Sequence, residues 1–180
     1  MDDLDALLAA AQGGSSDAFA GIYELLAGPV AGYLRSRGVR DVDDLTSEVF
    51  LAVFAGLGSF RGDGPHFRSW VFTIAHRRAA DHWRRAARTP AVAELQADDG
   101  APVVSAEAEA LDVLGEARTR QLLDGLSPDQ RDVLLLRVVA DLSLEQTADV
   151  LGKTVGAVKS LQHRGIAQLR AALEAEGVSR

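Results

Sequence analysis

Apolar side chains recur every three or four residues along most of this chain, and nowhere do they alternate with polar ones for long enough to predict a strand. The helical pattern runs over residues 16–36, 41–57 and 66–87, and again over 110–126, 128–139, 144–151 and 155–173. This predicts an all-α protein. Local signals agree with the boundaries: Ser127-Pro128-Asp129-Gln130 reads as an N-cap followed by proline in the first turn, where the missing N–H breaks no helical bond. No internal repeat of fixed period is present.

The periodicity fails between Thr89 and Ala110, where two prolines, small residues and only acidic charges leave little with which to nucleate a core. The expected organisation is two small helical domains, 1–88 and 110–180, joined by a flexible acidic linker over 89–109. At 180 residues with 47% hydrophobic side chains, each half has enough apolar surface to bury.

Residues 142–164 predict two short helices around a glycine turn. Ser143 can N-cap the first, Gln146 can close a capping box, and Gly152 can take the left-handed conformation that ends it. Thr154 then caps the second. Ala148, Leu151, Val155 and Val158 fall where two crossing helices bury them, and Lys153, Lys159, His163 and Arg164 fall on the side free to meet a phosphate backbone. Such a helix-turn-helix makes its second helix the reader.

Charge sharpens this picture. The net charge of −7 argues against a nucleic-acid binder until it is resolved along the sequence. Residues 61–88 hold seven arginines against Asp63 and Asp81, and residues 153–170 hold Lys153, Lys159, Arg164 and Arg170 with no acid. Two basic islands in an acidic chain predict two nucleic-acid contacts whose surroundings repel the polyanion.

The helix over 41–57 starts acidic and carries Leu45, Val49, Phe50, Val53, Phe54 and Leu57 over more than half its circumference, which suggests burial plus a partner. The next helix interleaves aromatics with arginines. Trp70, Ile74 and Phe67 are expected in the core, and an exposed Phe72 or Trp83 could stack on an unpaired base beside the guanidiniums; the competing reading makes all these aromatics core residues. Gly62-Asp63-Gly64 reads as the turn before this helix, and the sequence has no glycine-rich phosphate loop.

Asp43-Asp44-Leu45, Glu48-Val49-Phe50-Leu51, Phe67-Arg68-Ser69-Trp70-Val71-Phe72-Thr73-Ile74-Ala75, Asp81, Arg84-Arg85, Leu126-Ser127-Pro128-Asp129-Gln130-Arg131 and the helix-turn-helix ending in Val158-Lys159-Ser160 occur in that order over nearly the whole chain. In this it resembles bacterial RNA polymerase sigma factors of the extracytoplasmic-function group. The resemblance implies that residues 1–88 form a sigma-2 domain, with Asp44, Leu45, Glu48, Phe50 and Phe54 on a helix that docks on the clamp helices of the polymerase's largest subunit. It implies that the loop over 58–66 and the following helix recognise and melt the minus-ten element, through Phe60, Arg61, His66, Arg68, Phe72, His76, Arg77, Arg84 and Arg85. The C-terminal half resembles a sigma-4 domain that contacts the polymerase flap and reads the minus-thirty-five element with Lys153, Thr154, Gly156, Ala157, Lys159, Ser160, His163 and Arg164. The implied partners are core RNA polymerase, promoter DNA and an anti-sigma factor or other regulatory protein; no cofactor is implied. The chain departs from the family pattern at Ser47, where glutamine is common, at Arg77, where asparagine is common, and at Leu161-Gln162, where a basic residue and leucine are usual.

Two other classes remain open at this stage. A dimeric helix-turn-helix regulator acting without polymerase would account for residues 110–175 but leaves the aromatic, arginine-rich helix without a task. A metal-dependent helical hydrolase would draw on His76, Asp81 and His82, yet a five-residue spacing suits one helical face poorly and no further ligand cluster joins them. Cysteine is absent, which removes disulfides and thiolate ligands. The start lacks a basic n-region and the uncharged run 49–60 is too short for a membrane span of roughly 20 residues, so a cytoplasmic protein without membrane insertion is expected.

Overall fold

The computed structural model describes residues 2–88 and 118–178. The linker expected over 89–109, and the start of the helix expected over 110–126, lie outside them.

The described residues are helical and contain no strand. A first helix, α1 (Asp2–Gln12), was not anticipated from the sequence pattern. Its apolar residues are only Leu4, Leu7, Leu8 and small alanines, and it is held by tertiary contacts: Leu4, Leu8 and Ala11 are buried in the main core. Gly14, at φ 91°, turns the chain and Ser15 caps α2 (Ser16–Ser36), accepting from the Ala18 N–H at 3.3 Å. α2 runs through Pro29, which costs about 3 kcal/mol in a helix interior. Burial of Val30, Tyr33 and Leu34 just beyond it offsets that cost.

α3 (Val42–Leu57) opens with Asp43 and Asp44 in its first turn, where the helix dipole favours negative charge. It turns Leu45, Thr46, Val49, Phe50, Val53 and Leu57 inward. α4 (Gly64–Arg88) crosses it closely: a Cβ at Gly56 would stand 2.9 Å from the Trp70 ring, so only glycine admits the indole there. α4 begins two residues earlier than expected, because Asp63 accepts from the His66 N–H at 3.0 Å and Asp5 of α1 accepts from the Gly64 N–H.

In the second half, α5 is described over residues 118–124, followed by α6 (Pro128–Val138), α7 (Leu144–Leu151) and α8 (Val155–Val178). Both expected caps form as reciprocal capping boxes, Ser127 with Gln130 and Ser143 with Gln146. Gly152 adopts φ 62°, ψ 35°, and the Lys153 N–H returns to the Ala148 carbonyl at 2.9 Å. α8 continues past the expected end at residue 173.

The two halves share one apolar core. Leu135, Leu136, Ala140, Leu142 and Val150 join the cluster built on Ile22, Leu26, Tyr33, Phe67 and Phe72. A smaller cluster of Val133, Ala148, Val158 and Leu161 holds the helix-turn-helix together.

Candidate polymerase and nucleic-acid interface

The helix-turn-helix presents the side chains the sequence pointed to. Ala148 and Val158 are buried with Val133, and Leu151 and Val155 pack against them. Leu161 joins this cluster, so the departure at Leu161-Gln162 gives a second packing residue one turn after Val158. The opposite side of α8 leaves Gly156, Ala157, Lys159, Ser160, His163 and Arg164 exposed, together with Thr154, whose hydroxyl accepts from the Ala157 N–H at 3.2 Å. Lys153 differs from the rest: it is half-buried and its ammonium donates to Asp129 at 2.9 Å.

The second basic island lies on α4 and the loop before it. Arg61 folds back on the loop, donating to the carbonyls of Gly58 at 3.0 Å and Phe60 at 2.7 Å. Phe60 is half-buried against Phe67 and Trp70, with ring centroids 5.2 Å from each. His66 is exposed beside Asp63, whose carboxyl is held below its usual range by the His66 backbone N–H and then by the ring. Arg77, Arg84 and Arg85 are exposed. Arg84 pairs with Asp81 one turn earlier, and that hydrogen bond holds the Asp81 carboxyl down and ionised.

Two positions contradict the sequence expectation that they face a strand. Phe72 is 0% exposed and packs edge-on against Tyr33, so it belongs to the core. His76 is half-buried, with Nδ1 2.8 Å from the Tyr33 hydroxyl and 3.0 Å from Arg37 Nη1. Burial, then the nearby Arg37 and Arg77 charges, push its pKa down to about 4, so the neutral ring accepts at Nδ1. Arg68 is half-buried at the junction of the two halves. Of the two aromatics considered for stacking, Trp83 is the one presented, at 44% exposure, with Phe67 buried and Trp70 and Ile74 half-buried as expected for core.

On α3, Asp44 and Glu48 are exposed, and Glu48 lies 3.5 Å from Arg78. Leu45 and Phe50 are buried, and Phe54 is half-buried between Phe19 and Phe50, with ring centroids at 5.2 and 5.8 Å. These three are therefore packing residues of the domain, the buried part of the helix expected to dock. Leu51, 70% exposed, is the apolar residue that face does carry. Its spacing was legible: it lies three residues after Glu48 and seven after Asp44, on the same helical stripe. Ser47 bonds back to the Asp43 carbonyl at 2.9 Å.

Among the described residues no group of three His, Asp or Glu side chains is arranged to hold a metal ion, and His76 is committed to Tyr33 and Arg37. No helix among them is long and apolar enough to cross a membrane.

Comparison with known proteins agrees with this geometry. The Sigma-70 region 2 family matches residues 22–89 and the Sigma-70, region 4 family matches residues 122–171. The chain is 34% identical over 181 residues to the ECF RNA polymerase sigma factor SigD of Mycobacterium tuberculosis, covering 97% of this chain and 85% of SigD. It is also 34% identical over 166 residues to the ECF RNA polymerase sigma factor BldN of Streptomyces coelicolor, covering 91% of this chain and 63% of BldN. The solved structure of CnrH in complex with the cytosolic domain of CnrY superimposes with a TM-score of 0.70 at 28% identity, covering 96% of this chain and 98% of CnrH. The Bartonella quintana sigma factor RpoE, solved with the anti-sigma factor NepR, shares the fold with a TM-score of 0.64 at 21% identity, covering 87% and 96%. A two-part helical chain with a helix-turn-helix reader, an arginine-rich aromatic helix and these relatives belongs to the ECF RNA polymerase sigma factors.

Proposed function

We propose that residues 1–88 dock on core polymerase and engage the minus-ten element, while residues 110–180 read the minus-thirty-five element, with 89–109 as the tether. The observation that carries this division is the sorting of α8: its apolar side closes the helix-turn-helix core, and its polar side, from Thr154 to Arg164, is open along its length. A helix so divided enters a major groove with the rest of the domain acting as support.

Docking falls to the outer stripe of α3, Asp44, Glu48 and Leu51. Minus-ten contact falls to the loop over 58–66 and to α4, where Arg77, Arg84 and Arg85 hold the strand and Trp83 offers a ring to an unstacked base. Melting is then driven by capturing an unpaired base, with no bond made or broken, so the protein acts without catalysis in the cytoplasm. Simultaneous contacts to both promoter elements add avidity beyond either half. A regulatory protein partner belongs to this reading too, since CnrH is seen in complex with the cytosolic domain of CnrY.

Run-off transcription with core polymerase on a genomic promoter library tests the reading. Discrete start sites that require this chain are expected. A helix-turn-helix regulator working alone would bind DNA yet neither co-purify with core polymerase nor change its start sites.

A further inference from the structure

α1 grips the loop over 58–66 near both of its ends, and neither side chain that does so belongs to the core. At the end of α1, the Gln12 side-chain amide donates to the Leu57 carbonyl at 3.1 Å and to the Phe60 carbonyl at 2.9 Å, tying the last turn of α3 to the loop. About two turns earlier on α1, the Asp5 carboxylate accepts from the Gly64 N–H, where α4 begins. The fit there is close, since a Cβ on the buried Gly64 would stand 3.1 Å from Asp5 Oδ1 and 3.4 Å from Leu4 Cβ. Between these anchors the chain is tightly wound: a Cβ on Gly62 would stand 3.0 Å from Phe60 Cζ. Arg61 gives the Phe60 carbonyl its second donor, so both lone pairs of that oxygen are used. The hydrogen bonds that Ser59, Phe60 and Arg61 donate are local, reaching back four residues at most. Such bonds shape the loop without fixing it to the domain. Gln12 and Asp5 do fix it, across 45 to 59 residues of sequence, together with the Phe60 ring against Phe67 and Trp70.

We propose that Gln12 and Asp5 are positioning residues for minus-ten recognition, holding the loop over 58–66 in the conformation that discriminates among bases without themselves touching the strand. This rests on the assignment of that loop to the minus-ten element made above. A loop already held in its binding shape loses less conformational entropy on meeting the right strand, and it cannot shift to accommodate a wrong base. α1 is anchored through Leu4, Leu8 and Ala11, whereas Gln12 and Asp5 are exposed, so changing these two releases the loop and leaves the fold in place.

The test uses the full chain, alone and in holoenzyme. Gln12→Met keeps the length of the side chain and removes its donor; Asp5→Ala removes the acceptor, and Asp5→Asn keeps an acceptor oxygen. Circular dichroism and thermal midpoints check the fold, and hydrogen exchange at amides 58–64 reads the loop directly. The probes are the minus-ten single strand of a promoter the holoenzyme transcribes, a set of strands with one base replaced, and the minus-thirty-five duplex. Gln12→Met and Asp5→Ala should each speed exchange in the loop and lower discrimination between the native and replaced strands by about two- to tenfold, the range that loss of a hydrogen bond spans, with affinity for core polymerase and for the duplex changed by less than about twofold. Asp5→Asn should behave as the unmodified chain. A merely structural role would instead weaken binding to every strand alike, in step with a lowered midpoint. That uniform loss, or native discrimination in both variants, overturns the proposal; unchanged exchange in both overturns the grip of α1 on the loop. Failure of the underlying assignment has a different signature: the unmodified holoenzyme then shows no preference among the strands, and the inference falls with it.

Discussion

The ring of Phe72 meets the ring of Tyr33 edge-on, with centroids 5.7 Å apart and planes at 88°. Phe72 is thereby a core residue, and Trp83, farther along α4, is the aromatic left to a ligand. Phe72→Ala should destabilise the fold by about 3–5 kcal/mol, read as a lowered thermal midpoint. Trp83→Ala should leave that midpoint nearly unchanged and weaken holoenzyme binding to a minus-ten single strand by about 1–3 kcal/mol. The reverse pattern would exchange the two roles.

Leu51 is exposed between Glu48 and the end of α3, whereas Leu45 on the same helix is buried. Leu51→Ala and Asp44→Arg should each reduce affinity for core polymerase by more than about 1 kcal/mol at constant stability. Leu45→Ala should instead cost about 2–5 kcal/mol of stability. Titration of labelled polymerase with the three variants, alongside urea melts, separates docking from folding. Native affinity in both surface variants would remove α3 from the interface.

If Lys159 and Arg164 contact phosphates, replacing each by alanine should weaken duplex binding for all sequences alike and lower the salt slope by about 0.9 for each phosphate no longer neutralised. If either reads a base edge, the effect should concentrate on one base pair at about 1–3 kcal/mol. Lys153→Ala should have a smaller effect, since its ammonium is already engaged by Asp129. Binding isotherms at several salt concentrations on the promoter duplex and a scrambled one decide between these outcomes.

Gly152→Ala should cost about 1–2 kcal/mol, because φ 62° lies in the left-handed region and no neighbouring atom would meet the added Cβ within 4 Å. Gly165→Ala acts by another route: its Cβ would stand 2.9 Å from Leu134 Cδ1, so this buried side chain, which packs between α6 and α8, must shift. The first variant should refold with native duplex specificity and reduced stability; the second should also lose duplex affinity. Paired denaturation and DNA-binding measurements show the difference.

His76 is depressed from 6.5 to about 4, so the folded state favours its neutral form. A group depressed in this way contributes stability that is present above its unfolded pKa, near 6.5, and is lost as pH falls toward about 4. The C2 proton of His76, followed by NMR, should stay at its neutral position down to about pH 5 and move below it. Titration in the ordinary histidine range would mean that the Tyr33–Arg37–His76 network does not form in solution.

Much of this protein was written locally. The capping boxes at Ser127 and Ser143, the left-handed Gly152 and the two faces of α8 follow from backbone hydrogen bonding and a 3.6-residue period, both of which act over one or two turns. The motifs of the sigma factor family were legible for the same reason, since each lies within a single helix or turn. Periodicity could not say which side of a broadly apolar helix meets solvent. Phe50 and Leu51 are adjacent in sequence and both strongly hydrophobic, and only the packing of α2 against α3 buries one and exposes the other. Arg37, His76 and Asp132 carried no shared signal, because their meeting spans up to 95 residues and depends on how α2, α4 and α6 pack. Sequence determined the helices after α1, their caps and the chemistry of each face, while α1 owes its place to burial of Leu4, Leu8 and Ala11 in the core. The tertiary structure alone decided which aromatics became core, which histidine was neutralised by burial, and that the two halves close on each other, because burial and charge pairing are properties of several helices at once.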